Sequence, residues 1–202
     1  MHVRRSKRSI TEPMITTIIF DCFGVLCVGA RRYAMSRCPA QLRPQLDNLF
    51  DQADYGHITT DEFNEQGAQL LSITKEAFHD MLRRQLHRLD EMTAFVHSLR
   101  KRYSVAMLSN ANDTVIGSLF TPEELRELFD DVVVSSSIGM IKPDERLFEL
   151  AATRLDRLPE ECVMIDDVAR NIDGAKRAGM RGVVFTDLQQ CKVALQELGV
   201  HA

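Results

Sequence analysis

Hydrophobic positions along this chain follow two rhythms. Short unbroken apolar runs rich in β-branched residues recur at 15–20, 104–108, 132–135, 162–165 and 182–185. Between them lie stretches whose apolar residues stand three and four positions apart, such as Leu147, Phe148, Leu150, Ala151 and Leu155. Unbroken runs predict strands buried on both faces, and the 3.6-residue period predicts the helices that cover them. Their alternation predicts an α/β fold built on a doubly wound, mostly parallel sheet of Rossmann-like type.

Helix punctuation agrees with this pattern. Thr121-Pro122-Glu123-Glu124 supplies an N-cap, a first-turn proline and a capping-box glutamate ahead of Leu125, Leu128 and Phe129. Pro143 reads as opening the Leu147 helix in the same way, and Gly179 and Gly199 follow helical stretches where left-handed caps are wanted. The interval between the first and second strands is far longer than one crossover helix requires. Inside it, Thr60-Asp61-Glu62 and Thr74-Lys75-Glu76 read as helix starts, and Phe78, Met81, Leu82, Leu86 and Leu89 form a stripe at helical spacing. The expected organisation is a basic tail at 1–13, an α/β core at 14–28 and 89–202, and an inserted helical cap at 29–88.

Composition narrows the class. The 202 residues are 45% hydrophobic and 27% charged, those of an ordinary globular protein with room for one core and an insertion. No apolar stretch approaches the roughly 20 residues of a membrane span, so no membrane association is expected. Arg4, Arg5, Lys7 and Arg8 make the start basic, but the segment reads as a short disordered tail rather than as a nucleic-acid arm or transit peptide. Cys22, Cys27, Cys38, Cys162 and Cys191 are odd in number and contain no Cys-x-x-Cys pair, which predicts reduced core thiols and a cytoplasmic location.

Candidate chemistry sits just downstream of the apolar runs. Asp21, Ser109-Asn110, Lys142-Pro143-Asp144 and Asp166-Asp167 each occupy such a position. In an open parallel sheet the carboxyl ends of the strands share one edge, and ligands bind in the crevice there. Three carboxylates gathered at that edge repel one another unless a cation neutralises them, and a hard divalent ion such as Mg²⁺ is the simplest answer. Lys142, Ser109 and Asn110 add an ammonium, a hydroxyl and an amide, a set suited to a phosphate dianion.

These clusters, in this order, resemble the motifs of the haloacid dehalogenase (HAD) superfamily of aspartate-nucleophile hydrolases, in its branch with a small helical cap. The resemblance covers nearly the whole core, from Asp21 with Gly24-Val25-Leu26 to Ile165-Asp166-Asp167 with Asn171 and residues 175–179. It implies that Asp21 is the nucleophile and a Mg²⁺ ligand, and that the backbone carbonyl of Phe23 is a second ligand. It further implies that Ser109, Asn110 and Lys142 hold the phosphoryl group, with Lys142 part of the catalytic machinery. Asp167 would bind the metal directly, Asp166 directly or through water, and Asn171 would orient the acidic loop.

One position departs from the phosphatase pattern. Most phosphatases of the superfamily carry a second Asp two residues after the nucleophile, and here that residue is Phe23, which cannot protonate a leaving group. An aromatic residue there is similar to the dehalogenase branch, where halide leaves without a proton. Paired acids at Asp166-Asp167 argue against that branch, because they would repel an anionic haloacid. The expectation is a Mg²⁺-dependent phosphatase of small phosphorylated metabolites. The alternatives are a haloacid dehalogenase-like hydrolase and a catalytically silent phosphate-binding or scaffold relative.

Overall fold

A computed structural model describes residues 14–201; the basic tail expected at 1–13 lies outside the described residues. Five parallel strands form the central sheet: β1 (Thr17–Phe20), β4 (Ser104–Ser109), β5 (Asp131–Val134), β6 (Cys162–Asp166) and β7 (Arg181–Val184). Their order is β5-β4-β1-β6-β7, which puts β1 at the centre between β4 and β6. Alternate side chains of these strands feed two cores, as the two-residue period of a strand demands. Ile18, Phe20, Val105, Met107, Val163 and Ile165 face one layer, with Met92 and Phe95 of α5 (Asp90–Leu99) and Cys191 and Leu195 of α11 (Leu188–Glu197). Ile19, Ala106, Leu108 and Met164 face the other, with Phe148 of α9 (Glu145–Arg154) and Ile172 of α10 (Ala169–Arg177).

The helices α6 (Asp113–Leu119) and α7 (Pro122–Leu128) follow β4, and the single-turn α8 (Ser135–Ile138) follows β5. The capping box at Thr121 and Glu124 forms as its sequence predicts, and Gly179 and Gly199 take φ values of 95° and 80°. Two expectations need correction. Ser135 begins α8 rather than ending a strand, because its hydroxyl bonds to Ala111 and Asp54 instead of continuing the ladder. Pro143 does not open α9: Asp144 caps that helix by accepting a bond from Arg146 N at 3.0 Å, and Pro143 precedes the cap.

Four α-helices lie between β1 and α5: α1 (Ala30–Arg37), α2 (Arg43–Asp54), α3 (Thr60–Leu71) and α4 (Lys75–Arg83). They bury a third cluster of their own, with Ala34, Leu46, Phe63, Phe78 and Leu82 at its centre. Of the apolar stripe, Leu89 belongs instead to the core layer beside α5, since it is the N-cap residue of that helix. The unit is joined to the core by a ribbon of two two-residue strands, β2 (Cys27–Val28) and β3 (His87–Arg88), which pair antiparallel, Cys27 with Arg88 and Val28 with His87. Nothing in the sequence reading anticipated this ribbon.

Candidate active site

Parallel pairing in register brings the strand ends level. Phe20 stands opposite Met107 on β4 and Ile165 on β6, so Asp21, Leu108 and Asp166 follow on one edge. Lys142 reaches this edge from the chain after α8 and is buried. Its ammonium lies 2.8 Å from Asp21 Oδ1 and 2.6 Å from Asp166 Oδ2, and it donates to the Leu108 carbonyl at 3.0 Å. All three directions of the ammonium are thereby engaged, and a fully buried lysine is tolerated because it is paired. Burial alone would lower its proton affinity, but Asp21 and Asp166 together hold it above the usual lysine range.

Negative charge nevertheless exceeds positive. Carboxylate oxygens of Asp21, Asp166 and Asp167 all lie within 4.8 Å of one another. Burial pushes the Asp21 carboxyl up to about 7, Asp166 pushes the same way, and Lys142 draws it back only in part. Asp167 is raised as well, first by burial and then by Asp166, with partial relief from Arg32. Arg32 places Nη2 3.4 Å from Asp167 Oδ2 at the tip of a side chain that is 92% exposed, so water weakens its effect. Oxygen donors in mutual repulsion are the donor set a hard divalent cation takes, and these residues fit one.

Local backbone makes the approach possible. Gly24 sits at φ 94°, and a Cβ built on it would stand 2.4 Å from Asp167 Oδ2, so a side chain here would displace that carboxylate. The Asp21 carboxylate also accepts from Cys22 N at 2.7 Å, which fixes its rotamer. Asn171 donates to both oxygens of Asp166 at 3.0 Å each, and Val168 N donates to Asp166 Oδ1 at 2.8 Å. Ser109 Oγ, by contrast, is buried without a hydrogen-bond partner. A buried hydroxyl with no partner among the described residues, at the end of the strand whose Leu108 carbonyl Lys142 bonds, calls for a ligand oxygen.

Asn110 occupies the expected place, and its side chain has a protein partner there. Its side chain bonds the main chain of Lys142 in both directions, accepting from Lys142 N at 2.8 Å and donating to Lys142 O at 3.1 Å. The amide therefore positions the lysine. Phe23 is half-buried and packs against the core layer under β1. Arg32 and the cap residues around Arg31 were not placed at the site by sequence reasoning.

Known proteins extend this geometry. The model of the haloacid dehalogenase-like hydrolases matches residues 15–179. The chain belongs to that family. Among its relatives, this HAD-like hydrolase is 28% identical over 188 residues to a D-ribitol-5-phosphate phosphatase of Bacteroides thetaiotaomicron, covering 82% of this chain and 89% of the other. It is 27% identical over 194 residues to (S)-2-haloacid dehalogenase 1 of a Pseudomonas species, covering 84% and 83%. In fold it is similar to a HAD-family enzyme of Bacteroides thetaiotaomicron solved with magnesium and inorganic phosphate, at a TM-score of 0.71 and 21% identity over 88% of this chain and 98% of that one. The family match runs from just ahead of β1 past Asp166 and so spans Asp21, Ser109, Lys142 and Asp166.

Proposed function

We propose that this hydrolase is a Mg²⁺-dependent phosphatase of small phosphorylated metabolites that works through an aspartyl-phosphate on Asp21. The observation that carries the reading is the juxtaposition of Asp21, the buried Lys142 ammonium and the orphaned Ser109 hydroxyl at one strand edge. Asp21 attacks phosphorus as the ester P–O bond breaks, and water then cleaves the acyl phosphate to release inorganic phosphate and restore the carboxylate. Lys142, Ser109 and Asn110 hold the phosphoryl group, and the Asn110 side chain also keeps Lys142 in place. Asp21, Asp166, Asp167 and the Phe23 carbonyl would hold Mg²⁺, which when bound supplies the positive charge that offsets the phosphoryl oxygens. Asn171 keeps Asp166 oriented. Helices α1–α4 act as the cap that shields the reaction from water.

Phe23 favours a second reading, halide displacement from a 2-haloacid, for which no leaving-group proton is needed. A screen of phosphorylated metabolites and 2-haloacids, with Mg²⁺ and with chelator, separates the two. We expect Mg²⁺-dependent phosphate release from some ester, abolished in Asp21→Asn because an amide is a poor nucleophile. Halide release in chelator with no phosphate release would replace the first reading by the second, and beryllofluoride binding without any turnover would mark a silent relative. Five buried free cysteines and the absence, among the described residues, of a helix able to cross a membrane support a cytoplasmic setting.

A further inference from the structure

Hydrolysis of an alkyl phosphate needs one group that the core edge does not offer. The departing oxygen must take a proton. Phe23 has none to give, Lys142 has its three directions engaged, and Asp21, Asp166 and Asp167 serve as nucleophile and cation ligands in the proposed mechanism. The cap brings a different acid to the seam. Asp54 is the last residue of α2, and its carbonyl accepts from Ser135 Oγ at 2.5 Å. The same hydroxyl is tied to Ala111, accepting from its N–H at 3.0 Å, two residues beyond Ser109. Just past Asp54, Gly56 lies flush on α8 at φ 74°, where a Cβ would stand 2.5 Å from the Ser136 carbonyl. Asp54 is therefore pinned over the β4–β5 flank, the side from which Lys142 enters.

Its carboxyl is poorly compensated there. The side chain is 15% exposed, and its one ion pair among the described residues is a long 3.4 Å to Arg31 Nη1, while Asp47 and Asp51 hold the same guanidinium at 2.7 Å. The charged groups that reach it are Arg31 on α1, Asp51 on its own helix and Lys142 in the core; α8 presents only the serines Ser135 and Ser136 near it. Burial pushes this carboxyl up to about 7, Arg31 and Lys142 draw it down, and Asp51 pushes it up, so it keeps its proton below about pH 7 and shares it with water near that pH.

We infer that Asp54 is the proton donor to the leaving-group oxygen, a general acid supplied by the cap. The inference rests on the phosphatase reading. As the bond from Asp21 to phosphorus forms and the ester bond breaks, the Asp54 proton passes to the departing oxygen, giving an alcohol and an Asp54 carboxylate. When water attacks the acyl phosphate, that carboxylate takes the water's proton, and both groups return to their starting state.

The test is the ratio of kcat/KM for a sugar phosphate to that for nitrophenyl phosphate, whose leaving group departs without a proton. Wild type, Asp54→Asn, Asp54→Glu and Asp51→Asn are compared. The ratio should fall by about 10²-fold or more in Asp54→Asn, the scale of general acid catalysis, recover in part in Asp54→Glu and hold in Asp51→Asn. In wild type it should decline as pH rises through about 7, where Asp54 loses its proton. An unmoved ratio in Asp54→Asn overturns the inference and leaves the phosphatase reading standing. An equal fall in Asp51→Asn also overturns it, because the Arg31 cluster would then be acting structurally. If Asp54→Asn does not fold, the wild-type profile decides, and a ratio flat from about pH 5 to about pH 9 overturns the inference. Failure of wild type to cleave either ester removes both readings together.

Discussion

Two cations in this molecule each gather several carboxylates, and they do so under opposite conditions. Lys142 in the core holds Asp21 and Asp166 with side-chain exposures of 1%, 9% and 0%, respectively. Arg31 in the cap holds Asp47, Asp51 and Asp54 while itself 32% exposed, with Asp47 half in water. Apart from the 3.4 Å contact to Asp54, the ion pairs are of similar length, so what separates the clusters is chiefly solvent. In the core every charge must be answered by another group or by a bound ion, and that obligation is what makes the cluster the candidate reaction centre. In the cap water answers most of the charge, and only Asp54, at the buried end, is left under strain from desolvation.

The sharpest break of this contrast is Lys142→Met. Removing one partner of a buried network leaves Asp21 and Asp166 facing each other, so the variant should lose about 3–5 kcal/mol in urea unfolding along with all turnover. A loss below about 1 kcal/mol would mean that water enters the core cluster as freely as the cap cluster. Asp167→Asn sharpens the contrast from the other side. A saturating cation at about a hundred times its Kd should stabilise wild type by about 2.7 kcal/mol, and a thermal melt with Mg²⁺ or chelator should show that gain vanish in the variant. Equal melting temperatures with and without Mg²⁺ in wild type would count against the ion site.

Asp54 contributes a smaller, pH-dependent effect. Its carboxyl is raised from an ordinary 3.8 to about 7 in the folded chain, so between those values the folded state keeps a proton that the unfolded state has released. Its contribution to stability is therefore present at about pH 4, declines as pH rises, and levels off above about 7. With Mg²⁺ saturating, so that Asp21 stays ionised, the Asp54→Asn variant should lack up to about 1.4 kcal/mol per pH unit of that decline. Parallel stability curves for the two proteins would remove the claim that Asp54 is buried in solution. Arg31→Met should have the least effect, about 1 kcal/mol or less by denaturant titration. Its ion pairs are half-solvated, and methionine keeps contact with the Phe50 ring that Arg31 overlies at 5.3 Å.

The core cluster was readable from sequence for the same reason that it is buried. Parallel strands covered on both faces appear as continuous apolar runs, and a charge at the end of such a run stands out, as Asp21 and Asp166 do. Sequence does not say what a side chain bonds within the fold, so the hold of the Asn110 amide on the Lys142 main chain was not legible in it. The cap cluster was obscure because α1 buries only Ala30 and Ala34, too small to mark an apolar face among its arginines. Asp47, Asp51 and Asp54 do share one face of α2, but a row of acids ordinarily means a solvated surface, and their partner Arg31 lies on another helix. The β2–β3 ribbon is two residues deep, shorter than any periodicity can register.

That ribbon also describes how the cap is attached. Because Val28 and His87 face each other antiparallel, the two ends of the insertion leave the core side by side, as the arms of a hairpin do. Topologically, the four helices are the contents of one oversized hairpin loop. Loop-closure cost grows only with the logarithm of length, so the core pays little for housing so large an insert. A two-residue Asn-Gly turn could bridge the same pair in its place. The insertion is thus modular, a segment that can be lengthened, shortened or exchanged at one paired position while the sheet edge stays as it is.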